Sequence, residues 1–244
     1  MKVTKVKAKW FLILVMTGVY LTISAFSSDK LDEIQCVKTT IDIQQFENNF
    51  LLIREDILSV VNNQVPLKHP FYKKSFNIQL LEDLIDNHKM VEKSEVFFTL
   101  SGELYIRVLP KIPIMRVQAD NHSYYIDYNG DKFPLSPHYT PVVPILSGKV
   151  NDQNIQDVLA ILKTWKLQLF HADFFSGFYI SPNDNITAYS YETTESIEFG
   201  KAVNIEQKLL RLKAFYQYFY PTISNKKIKK INLNFEKQVV CEYE

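Results

Sequence analysis

The chain is poor in glycine: of 244 residues only Gly18, Gly102, Gly130, Gly148, Gly177 and Gly200 are glycine, and no two stand close together. No cluster exists to cradle a phosphate, which excludes the P-loop and dinucleotide-binding fingerprints. An excess of one charge is also missing, since the formal net charge is +1. Nucleic acid is therefore not expected as a partner, because its phosphates call for a basic stripe. Cysteine is scarce, with only Cys36 and Cys241, near the two ends. A disulfide between them is open in an oxidising compartment. Two unpaired thiols, one in a tether and one in a terminal strand, is the simpler reading. Beyond residue 26 no long apolar run occurs.

What is present begins with the amino end. Residues 1–9 carry Lys2, Lys5, Lys7 and Lys9 without an acid, and residues 10–26 are uncharged and rich in Phe, Leu, Ile, Val and Met. At helical rise that stretch spans roughly 25 Å, a little short of a ~30 Å hydrocarbon core. Snorkelling lysines and the interfacial rings of Trp10 and Tyr20 make up the difference. A transmembrane helix over 10–26 is expected, with residues 1–9 a cytoplasmic tail by the lysine bias and 27–36 a linker outside. A cleaved signal peptide ending at Ala25-Phe26-Ser27 is the rival reading, and it exports the same residues.

The stretch from 96 to 148 organises the rest. Leu104, Ile106 and Val108 alternate with Tyr105, Arg107 and Leu109, the period of a half-buried strand. Ser101-Gly102 pairs it with a strand over 96–100. Lys111-Ile112-Pro113 interrupts the ladder, and Asn129-Gly130 between 124–128 and 132–135 marks a second hairpin. Upstream, Val37, Thr39, Ile41 and Ile43 alternate as a strand, and residues 51–63 and 76–88 carry helical apolar faces. The order strand, helix, helix, strand, strand places both helices on one sheet face. Downstream, a helix over 151–165 precedes a hairpin over 174–191 and a short strand at 196–199. A helix over 205–219 follows, then alternation of Ile231, Leu233 and Phe235, and a last apolar strand at 238–241. The fold class is α+β: a first domain at 37–116, then a mixed β-domain with two helices at 117–244.

That order just outside one membrane anchor resembles a POTRA domain. Ser123-Tyr-Tyr-Ile-Asp-Tyr-Asn-Gly-Asp-Lys-Phe133 followed by Pro144-Ile-Leu-Ser-Gly148 resembles the start of the β-domain in the FtsQ/DivIB cell-division proteins. There an extended hairpin with Ile-Asp-x-x-Gly leads to a Pro-x-Leu-x-Gly strand and a helix. The family often has Arg-x-Pro where this chain has Lys111-Ile112-Pro113. Its common Asp-Leu-Arg-Tyr in the penultimate strand is matched by Asn232-Leu233-Asn234-Phe235, where Asn234 departs from the arginine and Phe235 keeps the aromatic.

The resemblance implies a non-enzymatic scaffold of the divisome without cofactor or small-molecule substrate. It implies a single pass through the bacterial cytoplasmic membrane, with the bulk of the chain periplasmic at the division septum. The implied partners are the coiled-coil proteins FtsB (DivIC in some lineages) and FtsL, with FtsK and the FtsW/FtsI septal synthase pair as further contacts. A terminal strand offers unpaired backbone groups to an added strand. The expected partner-binding residues are accordingly Leu233, Phe235, Gln238, Val239, Val240 and Cys241. For the Leu233 and Phe235 side chains, a place in the core is the simpler reading. The alternative function is a POTRA-bearing export or assembly component that binds client chains by strand addition. Such proteins usually carry tandem units and a barrel of roughly ten-residue alternating segments, a pattern this sequence lacks.

Other clusters have plainer readings. Asp127-Tyr-Asn-Gly-Asp131 lacks the spacing and terminal Glu of a calcium loop and reads as a hairpin turn. His69, His88, His122, His138 and His171 show no zinc-ligand spacing. His171 and Asp173 lack the company of a hydrolytic nucleophile. The basic run at 226–230 reads as a solvated approach to a strand, with an acidic partner or anionic lipid as the other reading.

Overall fold

The computed structural model describes residues 13–22, 35–45, 50–64, 70–119, 122–167, 174–223 and 227–244. The chain divides into two compact units, Met1–Gln45 with Ile53–Pro110, and Phe46–Leu52 with Lys111–Glu244. Both are mixtures of helix and sheet, so the fold class is α+β.

In the first unit, residues 13–22 are helical (α1) and exposed. The rest of the expected span, 10–12 and 23–26, lies outside the described residues. No helix among the described residues is long and apolar enough to cross a membrane. β1 (Gln35–Cys36) pairs antiparallel with β3 (Phe71–Tyr72). Cys36, expected in a tether, is instead buried, with its thiol donating to Lys38 O at 3.3 Å. Neither cysteine is in a disulfide.

β2 (Thr39–Ile43), α2 (Arg54–Gln64), α3 (Ile78–Asp86), β4 (Val91–Phe98) and β5 (Leu104–Pro110) complete the unit. Its sheet order is β2-β5-β4, with β2 parallel and β4 antiparallel to β5. Leu104, Ile106 and Val108 are buried together with Ile57 and Val61 of α2 and Leu81 and Ile85 of α3. Their alternates Tyr105, Arg107 and Leu109 stay half-buried, as period-two patterning demands. Several boundaries differ from expectation. Val37 is exposed and lies outside β2. α3 begins at Ile78 because the Asn77 side chain accepts from Leu80 N–H at 3.1 Å. β4 runs over 91–98 rather than 96–100, since the turn is closed earlier by Gly102 N–H donating to Thr99 O at 3.0 Å.

The second unit is built on nine strands: β6 (Pro113–Gln118), β7 (Ser123–Asp127), β8 (Lys132–Pro134), β9 (Ile145–Gly148), β10 (Phe175–Ile180), β11 (Ile186–Ser190), β12 (Ser196–Gly200), β13 (Ile228–Asn232) and β14 (Val240–Tyr243). Their order is β14-β13-β12-β11-β10-β9-β6-β7-β8. A domain start at 117 would cut β6, whose Met115 and Val117 are buried in this unit's core. Pro113 opens β6 at a strand's first position, where a missing N–H costs little.

The parallel neighbours β9 and β10 are joined through α4 (Asp152–Leu167), and β12 and β13 through α5 (Ile205–Ala214). The two helices touch, and Ile155, Val158, Leu162, Leu209 and Leu212 share one core with Leu146, Phe178 and Ile197. α5 continues as a π-helical turn over Phe215–Phe219 and a short 3-10 turn over Tyr220–Thr222.

Candidate functional site

A nine-stranded sheet has two edges, and their residues make them unequal. β8 has only three residues and ends in Pro134, features that blunt an edge against another strand. At the far end, β14 is free of proline and pairs only with β13 among the described residues. Glu244 N–H donates to Lys227 O at 3.0 Å, so its alternates Glu242 and Val240 also turn their backbone groups inward. Cys241 therefore turns its N–H and carbonyl outward.

The same alternation sends side chains to two sides. Cys241 and Tyr243 line a groove of about 490 Å³ with Val239, Ala214, Phe215, Phe219 and Ile223, and Arg211 and Lys237 supply its cations. Two aromatics of the α5 extension face the groove. Four residues apart, Phe215 and Phe219 stand on one side, while Tyr216 and Tyr220 pack on each other with ring centroids 5.2 Å apart. Tyr216 also meets the ring of Phe174 at 5.2 Å.

Beneath this wall lies Glu195, 3% exposed. Tyr216 Oη donates to its carboxylate at 2.7 Å and stands 3.3 Å from Thr193 Oγ1. Burial, reinforced by the bond to Glu195, pushes the Tyr216 hydroxyl far above its ordinary value. Burial also raises the Cys241 thiol, and the Glu195 carboxylate adds to the effect. Cys241 is thus a protonated, apolar element of the groove wall. Arg211 reaches across to Leu233 O at 3.1 Å, and its buried Nε has no hydrogen-bond partner among the described residues.

The six expected partner-binding residues separate here. Leu233 is fully buried, with its N–H donating to Glu198 O at 3.0 Å. Phe235 is 47% exposed, at a turn rather than in a strand. β13 stops at Asn232, and the chain reverses through Lys237, whose φ is +60°. The last strand is accordingly 240–243, two residues later than the expected 238–241. Gln238 and Val239 lie before it on the groove rim, and Val240 and Cys241 lie within it. The sequence marks Phe215 and Phe219 only as core-spaced residues of the helix over 205–219, and it does not single out Arg211, Glu195 or Tyr243. Nothing local marks Glu195 as buried.

The hairpin and strand quoted for the resemblance have clear structural roles. Asp127 accepts from Asn129 N–H at 2.9 Å, Asp131 N–H at 2.8 Å and Lys111 Nζ at 3.0 Å, so it caps the Asn-Gly turn. Gly148 has φ +90°, and a Cβ there would lie 2.2 Å from Ile180 O. A family profile described as FtsQ/DivIB, C-terminal related, matches residues 112–242, more than half of the chain.

The chain belongs to the FtsQ/DivIB C-terminal related family. No match was found among curated proteins. The matched span runs from the start of β6 into β14, so the FtsQ/DivIB-related region contains the groove lining and the edge strand except Tyr243. Membership in this family associates the chain with cell division. Among the described residues no group of three or more His, Cys, Asp or Glu gathers in a way that could hold a metal ion. His69, His171 and Asp173 lie outside the described residues.

Proposed function

We propose that this chain is a non-enzymatic scaffold of the cell-division machinery that holds its partners by strand addition to β14. The observation that carries the reading is an open, proline-free edge strand running beside an apolar groove. A strand laid against β14 gains backbone hydrogen bonds at Cys241, and its alternate side chains drop into the groove beside Phe215 and Phe219. The Arg211 side chain adds a positive charge to the groove beside such a segment.

The first unit supports a POTRA domain through its strand–helix–helix–strand–strand order and its three-stranded sheet. The apolar stretch at 10–26 acts as a single-pass anchor in the cytoplasmic membrane, and the two units project from it at the septum. The partners are single-span coiled-coil proteins of the FtsB/DivIC and FtsL type. FtsK and the FtsW/FtsI synthase pair are further contacts.

The test replaces Cys241 by proline in the full chain. The Cys241 N–H faces away from β13, so the substitution spares the internal ladder while removing the docking donor. Immobilised wild-type chain is expected to retain the coiled-coil division proteins of its own cell, and the Cys241→Pro chain to lose them while Trp165 fluorescence stays native. Retention by both would refute the β14 edge. Capture of outer-membrane barrel precursors instead would favour the export component.

A further inference from the structure

β4 stands at one edge of the first unit's sheet, paired on its other side with β5. Eight residues long, without proline and ending in Val96, Phe97 and Phe98, it is the kind of edge that recruits another strand. Two helix side chains bond to its outward amides. Ser94 N–H donates to Asp86 Oδ1 at 2.6 Å, and the Ser94 hydroxyl donates to the same oxygen at 2.7 Å. Val96 N–H donates to Glu82 Oε1 at 2.7 Å.

The spacing makes the fit. Glu82 and Asp86 are one turn apart on α3, a rise of about 6 Å. Ser94 and Val96 are one pleat apart on β4, about 6.8 Å. α3 is held in place for this by the Asn77 cap and by buried Leu81 and Ile85. Two successive outward amides of the edge are therefore already bonded within the molecule.

We propose that Glu82 and Asp86 form an edge lock that withholds β4 from antiparallel pairing with a second copy of this chain. The second copy is the occupant because the edge is self-complementary. A two-fold axis at Ser94 uses the same outward N–H that Asp86 holds, and it sets Lys93 opposite the second copy's Glu95. Both side chains are largely solvent-exposed, and opposite charges directly across a pair of strands stabilise it. The lock thus keeps the first unit from self-association through β4.

The experiment measures the mass of the full chain in detergent for wild type, Glu82→Gln/Asp86→Asn and Glu82→Ala/Asp86→Ala. The amide variant keeps acceptor oxygens and stays monomeric like wild type, whereas the alanine variant dimerises. Adding Lys93→Glu to the alanine variant sets like charges opposite at two symmetric places and weakens the dimer about tenfold. A folded alanine variant that stays monomeric overturns the proposal, as does a dimer indifferent to Lys93→Glu. Amide exchange in the single variants decides the matter if the double variant does not fold. Glu82→Ala speeds exchange at Val96 and Asp86→Ala speeds it at Ser94. Unchanged exchange at both sites rejects the lock.

Discussion

Replacing Tyr216 by phenylalanine tests the wall of the groove at one atom. The ring keeps its packing on Phe174, Phe215 and Tyr220 at centroid separations of 5.2, 5.5 and 5.2 Å, so only the hydroxyl is lost. That hydroxyl is the 2.7 Å donor to a carboxylate that is 3% exposed and makes no ion pair among the described residues. Deleting a donor to a buried charged acceptor costs about 1.5–3 kcal/mol. With a urea dependence of about 2 kcal/mol per molar, the midpoint falls by roughly 1 M.

Trp165, whose ring lies 4.8 Å from Phe174, reports the second unit once Trp10 is replaced by phenylalanine. Because the chain has two units, the transition followed by Trp165 is treated alone. Combining Glu195→Met with Tyr216→Phe removes both partners and recovers part of the loss, giving a coupling of about 1 kcal/mol or more. The pH dependence has a definite sign. The folded Tyr216 hydroxyl is raised above its unfolded value. Its contribution is therefore complete below about pH 10 and is lost as pH climbs beyond that. The phenylalanine variant flattens this alkaline decline. A midpoint shift under about 0.3 M, or an alkaline limb like that of wild type, would refute the account of Glu195 and Tyr216.

Gly148→Ala sets a Cβ 2.2 Å from Ile180 O at φ +90°, with backbone strain alone of about 1–3 kcal/mol. Thermal unfolding of the second unit is expected at clearly lower temperature, and an unchanged midpoint would contradict the close approach of β9 to the end of β10. In the first unit, burial lowers the pKa of His88, partly opposed by Asp56, and its Nδ1 faces Met90 N–H at 3.4 Å. The neutral ring is the folded form, so this contribution is present above about pH 6.5 and is lost as pH falls through the lowered folded value. His88→Gln should make the first unit's stability less sensitive to acid between pH 7 and 5, which amide exchange of α3 would measure.

Much of the fold was legible where the pattern is local. Leu104, Ile106 and Val108 declare their strand by alternation, and all three are buried. Asn129-Gly130 announces its hairpin by turn chemistry, and the structure adds that Asp127 caps it. The helix after Gly148 follows from the spacing of Ile155, Val158, Leu159 and Leu162, all of which reach the core. The terminal edge strand was legible only as a short apolar run near the end. Its shift to 240–243 follows from the reversal at 235–237, where Lys237 adopts a positive φ that no residue type there advertises.

Taken alone, the sequence determined the fold class, the order of elements, the hairpins and the family resemblance, because periodicity and turn preference act between residues a few positions apart. Only the tertiary structure decided which strands stand at the edges, since strand order depends on crossovers such as α4 and α5. It alone brought Glu195 beneath Tyr216, and Glu82 and Asp86 onto the amides of β4. A side chain's burial and partners are set by residues distant in the chain, and no local pattern encodes them.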